Sequence, residues 1–216
     1  MIEREWIGGL PPRMAALPRD KRGFPVPAFV RWFNGAPNFA VVDIHHVERC
    51  FQQNRCWICG DKMGAYKCFV VGPMCCVNRV SAEPPSHRDC AIFAALNCPF
   101  LSRPMAKRGE VPEGAKSAGI MIDRNPGVCA IWTTKSYQVR PEGEGYLFNP
   151  HEPTSLEFYA NARPATRLEV EEAVLSGLPL LEAYIFNKQD AEQLATMVKR
   201  FAGLLQKFPI PEEFMA

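Results

Sequence analysis

The chain lacks the features that would place it in a membrane or in the large nucleotide-dependent enzyme classes. No apolar run approaches the roughly 18 residues a helix needs to cross a bilayer. The opening Met1-Ile2-Glu3-Arg4-Glu5 has no basic stretch and no apolar core behind it, so a reduced, cytoplasmic protein is expected. Gly-x-Gly-x-x-Gly and Gly-x4-Gly-Lys-Ser/Thr are both missing, which argues against dinucleotide and P-loop chemistry. Internal repeats and long runs of one charge are also absent. With 25 Lys+Arg against 23 Asp+Glu the net charge is only +2, too balanced for nucleic acid to be a required partner. Histidine is scarce, at four residues, and none stands between Cys59 and His87.

What is abundant is apolar residues, proline and cysteine. A hydrophobic share of 47% is ample for a core in one compact domain or two small ones. The 20 prolines of the 216 residues, nearly twice the usual share of about 5%, imply many short elements joined by ordered loops. The nine cysteines carry the chemistry. Cys56-Trp57-Ile58-Cys59-Gly60 and His87-Arg88-Asp89-Cys90 are two ligand pairs at two-residue spacing, the first closed by a glycine. That pattern holds a structural Zn²⁺ in a closed tetrahedral site. With Cys56, Cys59, His87 and Cys90 all engaged, no position remains for a reactive water. Cys98, eight residues after Cys90, is the alternative to His87 as fourth ligand. The other cysteines read as thiols in apolar surroundings.

Around these pairs, Lys67 to Val71 reads as a strand, Gly72-Pro73 as a turn and Cys76 to Val80 as a returning strand. Ser86 and Asp89 form a capping-box pattern that opens a helix. Knuckle, hairpin and helix in that order predict a treble-clef zinc finger inside an α+β fold, followed by a small antiparallel sheet and C-terminal helices. Residues 1–108 comprise a Pro-rich segment and the finger. Residues 109–216 comprise the sheet and the helices, packed with the first part or separate from it.

Leu10 to Pro27 is expected as extended surface chain, with a short helix over Ala28 to Phe33 that ends at Asn34-Gly35. A second helix is expected from about His45 to Gln53, capped by Asp43, with both histidines on its solvent face. Strands are predicted at Gly119 to Ile122, Val128 to Thr134 and Tyr146 to Phe148, and Leu101 to Gly114 reads as a linker. A capping box at Thr166 and Glu169 starts a helix that ends near Gly177, and a longer one runs from Pro179 to Lys207. Its stripe of Leu181, Tyr184, Ile185, Leu194, Val198, Phe201 and Leu205 faces either the core or a second copy of the chain.

The string Gly72-Pro73-Met74-Cys75-Cys76-Val77-Asn78-Arg79 through Glu83-Pro84-Pro85-Ser86-His87-Arg88-Asp89-Cys90-Ala91, with Cys98-Pro99-Phe100-Leu101 behind it, resembles a family of uncharacterised bacterial and phage or prophage proteins. The resemblance implies a phage or prophage accessory and carries no catalytic residue with it.

A protein partner is the first expectation for such a binding or adaptor protein. A nucleic-acid-binding regulator is the alternative, with Arg79, Arg88, Lys107, Arg108 and Lys135 as phosphate contacts. Trp132 to Tyr137 with Arg140 is either an aromatic and basic binding surface or a strand leaving the core. A metal-dependent nuclease of the HNH type is the second alternative. Asn78 and the group Asp43, His45 and His46 are its candidates, but the histidine general base is missing from its expected place. Arg79 and Arg88 are also read as charges beside the anionic thiolates.

Overall fold

The computed structural model describes residues 5–103, 106 and 127–212. Its centre is a four-stranded antiparallel sheet in the order β3 (Lys67–Val71), β4 (Cys129–Thr134), β7 (Ser155–Ala160) and β8 (Arg163–Pro164). Every residue of β4 is buried, which fits a run, Cys-Ala-Ile-Trp-Thr-Thr, without polar alternation. On one face of the sheet lies α3 (Arg88–Asn97), where Cys68, Ala91, Ala95, Cys129 and Ile131 meet. The other face carries the main core around Phe69, Trp132, Phe148 and Val170, covered by α2 (Pro73–Asn78), α5 (Arg167–Glu182) and α6 (Lys188–Lys207). Two separate hairpins complete the architecture, β1 (Val30–Phe33) with β2 (Ala36–Val42), and β5 (Tyr137–Glu142) with β6 (Gly145–Pro150). Between them in sequence lies α1 (Ile44–Gln52), and α4 (Pro99–Ser102) is a single turn after α3. The pairing of Phe69 with Trp132 joins the two halves of the chain in one sheet.

Several elements depart from the expectation. Residues 28–33 form no helix: Asn34 and Gly35, at φ 48° and 76°, make the turn of the β1–β2 hairpin, since two successive positive φ values are what a tight hairpin turn demands. Cys76 to Val80 does not return as a strand. Gly72 caps α2 and Pro73 occupies its first turn, a position where the missing N–H costs nothing. The apolar residues Met74, Cys76 and Val77 all face inward, and Arg79 at φ 53° closes the helix. What remains of the expected hairpin is one antiparallel bridge, Cys68 to Ser86, with hydrogen bonds of 3.0 and 2.7 Å. The Pro-rich segment is not superficial either, because Met14 and Val26 are each 1% exposed.

The helix from Thr166 has its capping box, with Glu169 and Thr166 bonded reciprocally. It does not end at Gly177 but continues through Pro179 to Glu182. Gly177 is there for packing: a Cβ would come within 2.9 Å of Met74 Cγ. The long apolar stripe is therefore split between two helices, and Phe201, Leu204 and Leu205 of α6 belong to the core. The Gly119 to Ile122 strand and the linker from residue 107 to 114 lie outside the described residues. Among the described residues, no helix is long and apolar enough to cross a membrane.

Candidate metal centre

The knuckle is built by its own backbone. Gly60, at φ +82°, lets the chain fold back so that its N–H donates to Cys56 O at 3.0 Å. The Cys59 and His87 N–H groups both approach Cys56 Sγ at 3.4 Å, an arrangement suited to a thiolate acceptor. Trp57 N donates to Pro85 O at 3.0 Å and ties the knuckle to the chain entering α3. His87 is the N-cap residue of that helix and makes no side-chain cap bond. Its ring is thereby left to the site, and Ser86 is not the cap. Asp89 instead bonds the adjacent Cys90 N at 3.0 Å.

The four ligand atoms of Cys56, Cys59, His87 and Cys90 all lie within 4.8 Å of one another. His87 Nδ1 is 3.3 Å from Cys59 Sγ and its Nε2 is 3.2 Å from Lys62 O. An Nε2–H donated to that carbonyl fixes the tautomer and leaves the Nδ1 lone pair facing the sulfurs. Cys56 and Cys90 are fully buried, so the site is continuous with the core. When protons hold the cluster together, hydrogen bonds from Cys59, Cys90 and His87 pull the Cys56 thiol far down. Cys56 in turn pushes Cys59 up to about 12 and Cys90 well above its ordinary value. The same thiolate raises His87. Three buried sulfurs sharing protons in this way form a donor set that a divalent cation would satisfy better, and its composition is compatible with zinc.

Among the described residues this is the one group of three or more Cys, His, Asp or Glu side chains so arranged. Cys98 is outside it, at the far end of α3, about 12 Å of helix from Cys90. The Asp43, His45, His46 group does not converge on a common point. Asp43 caps α1 through His45 N at 3.0 Å, and exposed His45 lies 3.5 Å from Glu48. His46 is buried, not solvent-facing. Both of its ring nitrogens have partners, Trp57 O and Arg49 Nη2, each at 3.3 Å, and burial lowers its proton affinity. Asn78 ends α2 and accepts from Val80 N at 3.0 Å.

The three described basic residues, Arg79, Arg88 and Lys135, each have a different partner. Arg79 is paired with Glu152 at 2.6 Å and lies over the Trp132 ring, while Arg88 forms a two-pronged bond with Glu157 at 3.0 and 2.6 Å. Both are committed to carboxylates and not to the thiolates. The cation that faces the cluster is Arg13, bonded to Asp89 at 2.9 Å and within electrostatic reach of Cys59 and Cys90. Lys135 is exposed beside Tyr66, and Lys107 and Arg108 lie outside the described residues. Trp132 is buried and donates to His151 O at 2.9 Å, so Trp132 to Thr134 belong to the core, while Lys135, Ser136 and Arg140 beyond them are exposed. Arg13 and the Lys62 carbonyl were not legible in the sequence, because nothing local marks a contact made 76 or 25 residues away.

No protein-family model, no curated protein and no solved structure matches this chain.

Proposed function

We propose that the chain is a zinc-stabilised, non-catalytic binding or adaptor protein. The observation that carries this reading is the donor set: three sulfurs and one imidazole nitrogen within 4.8 Å of one another, the number and type that would fill a tetrahedron around Zn²⁺ and leave no coordination position for water or substrate. Such a Zn²⁺ carries about −1 with its ligands, is a poor Lewis acid and cannot generate hydroxide at neutral pH. Its role is to supply folding free energy where the sheet, α3 and the Pro-rich segment meet. We assign the surrounding motif as a reduced treble clef. The Cys56 to Gly60 knuckle, β3 and α3 support it, with the second hairpin strand cut down to the Cys68–Ser86 bridge and α2 inserted before it. The setting as a phage or prophage accessory rests on the sequence resemblance alone, carried by residues 72–91 and 98–101.

The test is metal analysis joined to a cleavage assay. The purified protein is expected to hold about one zinc per chain, and plasmid DNA is expected to stay intact with added Mg²⁺ or Mn²⁺. Cleavage that vanishes with chelator and returns with metal would replace this reading with the nuclease.

A further inference from the structure

The β1–β2 hairpin stands apart from the central sheet and carries its aromatic side chains outward. Trp32, Phe33 and Phe39 are 45%, 46% and 40% exposed, in a protein whose other large rings are mostly in the core. Strand alternation sends Trp32 to one face and Arg31 with Phe33 to the other, and the Arg31 guanidinium lies 5.7 Å over the Phe33 ring. Arg22, paired with Asp20 at 2.9 Å, lies 5.9 Å from the Phe39 ring. Between positions 19 and 39 the sequence places Arg19, Lys21, Arg22 and Arg31 against the single carboxylate of Asp20. Two of these cations, Arg22 and Arg31, lie against exposed rings of the hairpin.

We infer that this hairpin binds single-stranded nucleic acid, with unpaired bases stacked on Trp32, Phe33 and Phe39 and the backbone phosphates beside Arg31, Lys21 and Arg22. The inference rests on the non-catalytic reading and names a partner class for it. Cation beside ring is the arrangement such a strand needs, because each nucleotide brings one π-face and one negative charge. Duplex DNA would keep its bases from the rings. A second copy of the chain is disfavoured by area and charge. Three rings of roughly 200 Å² each, less than half exposed, offer about 300 Å², far below the ~800 Å² per partner of a stable interface, and two such cationic surfaces would repel.

The base of the hairpin is anchored to the knuckle. Ala28 N donates to Ile58 O at 2.8 Å, and Asp43 N donates to Phe29 O at 3.2 Å, which joins the two feet to each other. Phe29 stacks on Trp57, centroids 4.4 Å apart and 7° from parallel, and Trp57 sits between the two knuckle cysteines. The metal knuckle is the foundation of the hairpin.

The experiment uses the full zinc-loaded chain with fluorescein-labelled oligothymidylate and oligouridylate of about 15 nucleotides, a length within the range of known single-strand sites. Anisotropy is expected to rise in about 50 mM salt with at least one of the two probes, and the other then reports the preference for DNA or RNA. Affinity should fall steeply by about 200 mM salt, and an unlabelled duplex of equal length should compete at least tenfold more weakly. Trp32→Ala is expected to weaken binding about tenfold with unchanged melting temperature and zinc content, and Arg31→Ala to flatten the salt dependence by about 0.7 per decade. No binding to either probe, duplex competing as well as single strand, or full affinity in Trp32→Ala, Phe33→Ala and Phe39→Ala would overturn the proposal and favour a protein as the partner. Cleavage of a bound oligonucleotide would instead overturn the non-catalytic reading and leave the hairpin site standing.

Discussion

The knuckle at residues 56–60 and the hairpin at residues 30–42 are joined at the hairpin's base by the Phe29–Trp57 stack and the Ala28–Ile58 hydrogen bond, yet they use their side chains in opposite ways. In the knuckle the reactive groups are turned inward and engaged: Cys56 is fully buried, its sulfur receives two backbone N–H groups, and the neighbouring imidazole has its second nitrogen on a carbonyl. In the hairpin the rings point outward and the cations beside them face solvent. The difference separates two meanings of an unusual residue pattern. Buried groups that engage one another mark construction, whereas exposed rings with cations against them mark a surface open to a partner.

The largest effect is expected from removing the metal ligands. Cys56→Ser or Cys90→Ser should lose the zinc and leave the protein insoluble or largely unfolded, because structural zinc contributes on the order of 10 kcal/mol, comparable to the whole stability of a domain. Metal content and thermal melting check this together. A smaller loss separates the two candidates for the fourth ligand. In a chelator competition His87→Ala should weaken zinc retention at least tenfold, while Cys98→Ala should cost only packing, about 1 kcal/mol or less. Trp57→Ala, which removes the stack under the hairpin, should destabilise the fold by about 3–5 kcal/mol. It should keep the zinc and weaken oligonucleotide binding, which would locate the coupling between the two regions in that ring.

How much of this was legible in the sequence follows the same division. The ligand pairs were readable because a metal site repeats a short spacing and needs a glycine at a left-handed turn, as Gly60 shows. The capping box at Thr166 and Glu169 was readable for the same local reason. The hairpin was not, because Asn34-Gly35 is a signal shared by helix ends and hairpin turns, and the pairing of β1 with β2 decides between them. The segment after Pro73 was misread as a strand because its apolar residues suit either element, and packing against α5 and α6 makes it a helix. Strands β5 and β7 were missed because Tyr137 to Glu142 is largely exposed and Ser155 to Ala160 carries its own charge at Glu157. The destination of Arg79 and Arg88 could not be read at all, since Glu152 and Glu157 lie 73 and 69 residues away.

The smallest expected effect lies far from both regions and serves as a control on stability. Glu169, bonded to Arg163 at 2.8 Å and to Thr166 N, is held down to about 2 from its ordinary 4.5, with the Arg163 bond the largest cause. A carboxylate lowered in the folded state contributes stability that is complete above its ordinary value and fades as pH falls toward the folded one. The gap between the native protein and Glu169→Gln, about 1 kcal/mol, should therefore be constant from neutral pH to about 5 and narrow between about 4.5 and 2. Urea unfolding across that range measures it.

Zinc X-ray absorption on the purified protein decides whether the chain encloses a metal that does no chemistry. Three sulfur ligands at about 2.3 Å and one nitrogen at about 2.0–2.1 Å are expected. An oxygen ligand from solvent, or only two sulfurs around the metal, would contradict that enclosure.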